Sequence, residues 1–413
     1  MYSPKILEKY AKLIVKTGAN VQKGQPVIVR GAIEAKDLIE EIVKQAYEAG
    51  ALTVRVDWND AKITRMNYDY QSLEFLADIP DWSVERERWY INRGCCMIHV
   101  STVDPDAMVG VDTEKLRASQ VAVMKKMPEL MTYSMNNVGQ WTIAAYPNLT
   151  WAKKVFPNDS DKVAIKKLGN AILKCVRVSS SNDPVRAWKI HNNKIRRNCR
   201  KLNSLNLAEL HYTNSLGTDL VIKLPEGHLW EGGCEKTSDG RKIVFNPNMP
   251  TEEVFSLPHK DGVDGRVYAT KPLVYNGNII DKFWLEFKDG KVVKYDAEVG
   301  KEYLKALLSM DEGSTHLGEV ALVPFDSPIN NSGILFFSTL FDENASCHLA
   351  LGRAYPTCVK GGDKMSQEEL TKRGVNNSFV HVDFMVGSSD LDIIGTTKDG
   401  KKVQIFKKGN FAF

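Results

Sequence analysis

Nowhere in its 413 residues does the chain keep an apolar run near the roughly 18–20 residues a membrane helix needs, so no helical span is expected. The opening MYSPKILEKYAKLIVKTG does not supply one. Glu8, Lys9, Lys12 and Lys16 interrupt its apolar positions, which reads as an amphipathic helix and not a signal-peptide core. Strong charge of either sign is also missing: the formal net charge is +4, too small for a general polyanion binder. Cysteine is sparse and unpaired in pattern. Seven residues, an odd number with no C-x-x-C spacing, argue for free thiols in a reducing cytoplasm. No G-x-G-x-x-G follows a strand and no G-x-x-x-x-G-K-[ST] occurs, so nucleotide binding has no support. H-E-x-x-H is absent, which removes the commonest helical zinc-protease signature, and the lack of G-x-S-x-G weighs against a serine α/β-hydrolase. Internal repeats and low-complexity tracts are absent as well.

What remains is an ordinary globular composition, 43% hydrophobic and 26% charged, in a chain long enough for two domains. The first half alternates strands (PVIVRGA, ALTVRVDW, CMIHVSTV, WTIAAYP) with helices, the second of which stops at Gly50. Further helix is expected through SLEFLADIPDWSVERERWYINRG and TEKLRASQVAVMKKM. Such alternation predicts right-handed crossovers and a mostly parallel sheet. Cys95 and Cys96 open the third strand as buried thiols. The segment AWKIHNNKIRRNCRKL is basic, but without interleaved stacking aromatics it reads as a solvated helix face and not a nucleic-acid contact. From Leu207 the pattern turns to hairpins, AELHYTNSLGTDLVIKL and KFWLEFKDGKVVKYDAE, separated by glycine- and proline-rich loops. The expected division is therefore an α/β domain over residues 1–205 and an α+β domain of mainly antiparallel strands over 206–413.

The chemistry concentrates in the second domain. In SFVHVDFMV, Val380, Val382, Phe384 and Val386 share one face of a strand, while Phe379, His381, Asp383 and Met385 share the other. An imidazole and a carboxylate side by side on a nearly apolar strand must be paired, protonated or metal-bound. They make half a site for a divalent cation with mixed nitrogen and oxygen ligands. Candidate partners are Glu253 or its neighbour Glu252 in PTEEVFSLP, Glu319 in the strand EVALVP, and Glu343 and His348. The last two follow ILFFSTLF, where a strand is expected to end and a loop or short helix to begin. Each has an ordinary alternative: a solvated loop pair, a strand-end charge, a satisfied core histidine, and for Tyr355 a packing aromatic. Cys347 beside His348 does not make a nucleophile pair, since adjacent side chains rarely reach a common atom. The other histidines, at 99, 191, 211, 228, 259 and 316, are weaker candidates.

NPNMPTEEVFSLP, LGEVALVP, HLALGRAYP and HVDFMVGS, in this order, resemble the motifs of the thermophilic-type bacterial metalloaminopeptidases, the family of aminopeptidases T, S and PepS. The resemblance runs over the whole chain. It implies an α/β N-terminal domain, a C-terminal catalytic domain with two divalent cations (zinc, cobalt, manganese or magnesium), and a homodimer enclosing a cavity. It makes Glu253, Glu319, His348, His381 and Asp383 metal ligands and puts Tyr355 at the site. Glu343 falls where the family has a further acidic group, either a ligand or the proton shuttle. The expected activity is removal of the N-terminal residue from peptides, with Glu319 bridging the two cations. The expectations set against it are a non-peptidase metal hydrolase, an amidase or phosphoesterase, and a non-enzymatic protein whose metal only clamps the fold.

Overall fold

The computed structural model describes residues 2–104, 106–275 and 277–413. It divides into two compact units, Met1–His191 with Cys234–Pro250, and Asn192–Gly233 with Thr251–Phe413. This differs from a single break near residue 206. The division falls inside the helix Pro184–Leu205, and Cys234–Pro250 belongs with the first unit. Its short strand Asn248–Met249 pairs in parallel with Ile143 and Ala144, a two-residue ladder that no hydrophobic pattern announces.

In the first unit, β1 (Pro26–Ala32), β2 (Thr53–Asn59), β3 (Cys96–Ser101) and β4 (Trp141–Ala145) form a parallel sheet in the order β2-β1-β3-β4, with Asn248–Met249 outermost. Val27 and Val29 of β1 and Ile98 and Val100 of β3 point to one face. There they pack against α1 (Pro4–Leu13) and α2 (Lys36–Glu48). Helix α2 buries Leu38, Ile39, Ile42 and Ala46, a stripe at helical spacing that matches one sheet face. It ends at Gly50, whose φ of +92° is the left-handed stop expected just past a helix. The helix expected through Ser72–Gly94 is instead two, Leu73–Leu76 and Asp81–Ile91. Pro80 lies between them, where its missing N–H cannot continue a ladder.

The second unit holds a nine-stranded and a four-stranded antiparallel sheet. Both expected hairpins are present, Leu207–Thr213 with Asp219–Lys223 and Asn278–Lys288 with Lys291–Val299. The two sheets share one core, in which Leu210, Ile222 and Phe283 of the larger meet Val320, Leu349, Leu351 and Phe384 of the smaller. The Phe283 and Phe384 rings lie 5.6 Å apart. ILFFSTLF corrects an expectation: it is not a strand but an irregular segment leading into the short helix Thr339–Asp342. The buried Asp342 carboxylate accepts the Phe336 and Ser338 N–H groups at 2.8 and 2.9 Å, donors a strand would need. Phe336 and Phe341 stack at 4.6 Å, so the apolar residues pack locally.

Candidate metal centre

The four-stranded sheet runs Val254–Ser256, Leu317–Leu322, His348–Gly352, His381–Met385, each strand antiparallel to the next. His348 is thus the first residue of a strand, not part of the loop expected after ILFFSTLF. Period-two alternation sends Val320, Leu349, Leu351 and Phe384 into the shared core. Glu319, His348, His381 and Asp383 occupy the opposite parity. Across three strands, Glu319 stands opposite Ala350 and Ala350 opposite Asp383, so a methyl separates two carboxylates. Ala321 and Gly352 keep the same face low, and the result is a trough walled by acids and imidazoles.

The register depends on Gly318. Leu317 pairs with Leu351 but Glu319 with Ala350, so Gly318 is an extra residue in a bulge. A Cβ there would come within 2.3 Å of the Gly352 carbonyl oxygen. Without that glycine the bulge could not form, and Glu319 would not face the trough.

Two donor triads occupy the trough, Glu253 with Glu319 and His348, and Glu319 with His381 and Asp383. Glu319 belongs to both. Its Oε1 lies 3.3 Å from His348 Nε2 and its Oε2 3.7 Å from His381 Nε2. Glu253 Oε2 is 3.4 Å from His348 Nε2, and Asp383 Oδ1 is 3.3 Å from His381 Nε2. Of the two adjacent glutamates, Glu253 therefore reaches the triad. Glu252 contributes its backbone N–H to Asn344 Oδ1 at 2.7 Å. Each histidine is oriented through its other nitrogen, His381 Nδ1 to the Arg353 carbonyl at 2.7 Å and His348 Nδ1 to the Ser346 carbonyl at 3.3 Å. A ring that donates Nδ1–H to a carbonyl leaves Nε2 to bind a cation.

Glu343 stands beside both triads and within neither. Asn344 Nδ2 lies 3.3 Å from its Oε1. Burial first, then the Asp383 and Glu253 charges, push its carboxyl well above the usual range. Tyr355 packs over His381 with ring centroids 5.0 Å apart. Desolvation first, then the Glu319, Asp383, Glu343 and Glu253 charges, push its phenol up, although the residue as a whole is about half exposed. Burial alone would lower the His381 imidazole, but Asp383 and Glu319 more than offset it and hold it at about 10.

These residues fit a divalent cation on charge and on geometry. Four carboxylates face two imidazoles, so negative charge stays in excess even with both rings protonated. Asp383 Oδ1 is buried with no hydrogen-bond partner among the described residues, its 3.3 Å approach to His381 Nε2 being out of alignment. Buried carboxylates in such numbers are costly unless a cation neutralises them. The other six histidines lie outside both triads; His211, for one, pairs with Asp219 at 2.6 Å.

Asn344 and Asn376 support the site without a signal in the sequence. Asn344 is fully buried and ties the Glu252–Glu253 loop to Glu343. Asn376 Nδ2 donates to the Gly352 and Gly313 carbonyls at 2.6 and 2.8 Å, fixing the end of the His348 strand. An asparagine in a polar loop gives no sequence sign that it is buried.

The whole chain is similar to known proteins. The model of the thermophilic metalloprotease (M29) family matches residues 4–411. The chain is 46% identical over 407 residues to aminopeptidase AmpS of Bacillus subtilis, covering 98% of both chains. It is 44% identical over 409 residues to aminopeptidase 2 of Geobacillus stearothermophilus, covering 99% of this chain and 98% of the other. Among solved structures, wild-type AmpT from Thermus thermophilus superimposes with a TM-score of 0.91 at 37% identity, with 99% of each chain covered. On the strength of a full-length match and a shared fold, the chain belongs to the thermophilic metalloprotease (M29) family.

Proposed function

We propose that the protein is a metal-dependent aminopeptidase that removes the N-terminal residue from peptides at a two-cation site in its second unit. The observation that carries the reading is the division of Glu319, one carboxylate oxygen toward each histidine-containing triad. Glu253, His348 and Glu319 would hold one cation, and Glu319, His381 and Asp383 the other. Mixed nitrogen and oxygen donors suit zinc, cobalt, manganese or magnesium. When bound, the cations polarise the scissile carbonyl and lower the pKa of the attacking water toward neutrality.

The chain's own groups do the rest. Glu343, carrying a raised pKa and held by Asn344, accepts a proton from the attacking water and delivers it to the leaving amine nitrogen. The Tyr355 hydroxyl donates a hydrogen bond to the former carbonyl oxygen as negative charge develops there. The acidic surplus of the trough favours a substrate with a free amino terminus, which supports exopeptidase action. Seven cysteines, an odd number without C-x-x-C spacing, support a cytoplasmic setting. The family resemblance supports a homodimer.

The testing experiment removes metal with a chelator and restores cobalt, zinc, manganese or magnesium, reading activity on leucyl and arginyl amides beside phosphate esters. The reading expects amide hydrolysis that vanishes on chelation and returns with metal. Amide hydrolysis indifferent to complete metal removal, or turnover of phosphate esters alone, contradicts it.

A further inference from the structure

A second set of charges, in the first unit, serves no part of this chemistry. On the face of the parallel sheet opposite α1 and α2, Asp57 of β2, Arg30 of β1 and His99 of β3 stand side by side in register. Arg30 is fifth of the seven residues of β1, in its carboxyl-terminal half. The order β2-β1-β3 reverses chain direction across the sheet between β1 and β3, and open parallel sheets bind ligands at the carboxyl end of such a reversal.

Three guanidiniums surround two carboxylates here. Arg30 Nη2 reaches Glu87 Oε2 at 2.8 Å, and its Nε lies 3.6 Å from Asp57 Oδ2. Arg55 Nη2 contacts Asp57 at 2.8 Å and Glu87 at 2.5 Å, while Arg86 Nη2 stays 3.6 Å from Glu87. The donors outnumber the acceptors: Arg55 Nη1 is buried with no hydrogen-bond partner among the described residues. A sheet face carrying these charges gains little stability over an apolar one, because desolvation offsets their attraction. Arg30, Asp57, Arg86 and Glu87 also line an open cavity of about 500 Å³, together with the apolar Met127 and Leu130. That volume lies within the range of small-molecule sites.

We propose that this cavity binds a small carboxylate with an apolar tail, the carboxylate on Arg30 and Arg86 and the tail against Met127 and Leu130. Two sources share that chemistry, a free aliphatic amino acid and the carboxyl terminus of a short peptide. The site is independent of the metal centre, and its ligand needs no free amine.

The probe is N-acetyl-L-leucine, whose blocked amine makes it a poor ligand for an aminopeptidase site, with the uncharged N-acetyl-L-leucinamide as control. Titration calorimetry on the full chain is expected to show saturable binding of the acid and none of the amide. Arg86→Ala, at a half-exposed position, is expected to fold normally and weaken binding about tenfold or more, the loss of one charge-assisted contact. Glu319→Gln is expected to leave binding unchanged. L-Leucine binding more tightly than the acetylated form, measured in Glu319→Gln, supports the free amino acid as the source; equal binding supports a peptide carboxyl terminus. The proposal is overturned if the acid does not saturate, if the amide binds as well, if Arg86→Ala binds like the wild type, or if Glu319→Gln abolishes binding.

Discussion

At the scale of single residues, the proposed roles separate holding a cation from proton transfer. Glu343→Gln keeps the shape and removes the base, and Tyr355→Phe removes one donor. Each is expected to lower turnover by about 10²–10³ with metal content retained. Steady-state kinetics beside metal analysis checks this, and wild-type turnover in both variants would refute the assigned roles. Asn344→Ala leaves the buried Glu252 N–H without its acceptor. Losing that buried hydrogen bond costs about 1–3 kcal/mol, so an unfolding free energy lower by that amount is expected from chemical denaturation. The individual acids were legible in the sequence because a carboxylate within an apolar strand demands a reason. Asn344 was not, since the Glu252 N–H that it accepts comes from a segment that only the fold brings to it.

Single strands and turns show why some of the architecture could be read and some not. The strand at His381–Met385 and both hairpins follow from period-two alternation and turn residues, signals local to the segment. ILFFSTLF has the composition of a strand, yet Asp342 takes its backbone donors and Phe336 stacks on Phe341. Nothing local tells an apolar run that pairs with neighbouring strands from one that packs on itself. The bulge at Gly318 is equally silent, because the need for glycine comes from the Gly352 carbonyl on another strand. Gly352 itself has a φ of +103°, and a Cβ there would meet the Val380 carbonyl oxygen at 2.1 Å. Gly318→Ala and Gly352→Ala are each expected to destabilise the protein by about 2–3 kcal/mol, from steric strain and, at Gly352, a disfavoured dihedral. Chemical denaturation measures the loss, and stability equal to wild type would mean the sheet register does not depend on them.

For the whole molecule, one pH effect lies outside the candidate metal centre. Partial burial and the neighbouring Arg30 charge pull His99 down to about 4. Between that value and the ordinary 6.5 the unfolded chain binds the additional proton, so stability rises with pH across this window and falls on acidification. In chelated protein, wild type is expected to lose more stability than His99→Gln between about pH 7.5 and pH 5. Equal losses would show that His99 does not titrate this way. The metal centre carries the larger claim, that Glu319 joins two cation sites by dividing its oxygens between His348 and His381. The most direct measurement is anomalous X-ray scattering from crystals of metal-loaded protein. The account predicts two peaks per chain, one beside Glu253 and His348, one beside His381 and Asp383, with Glu319 contacting both. A single peak, or peaks that Glu319 does not touch, would contradict it.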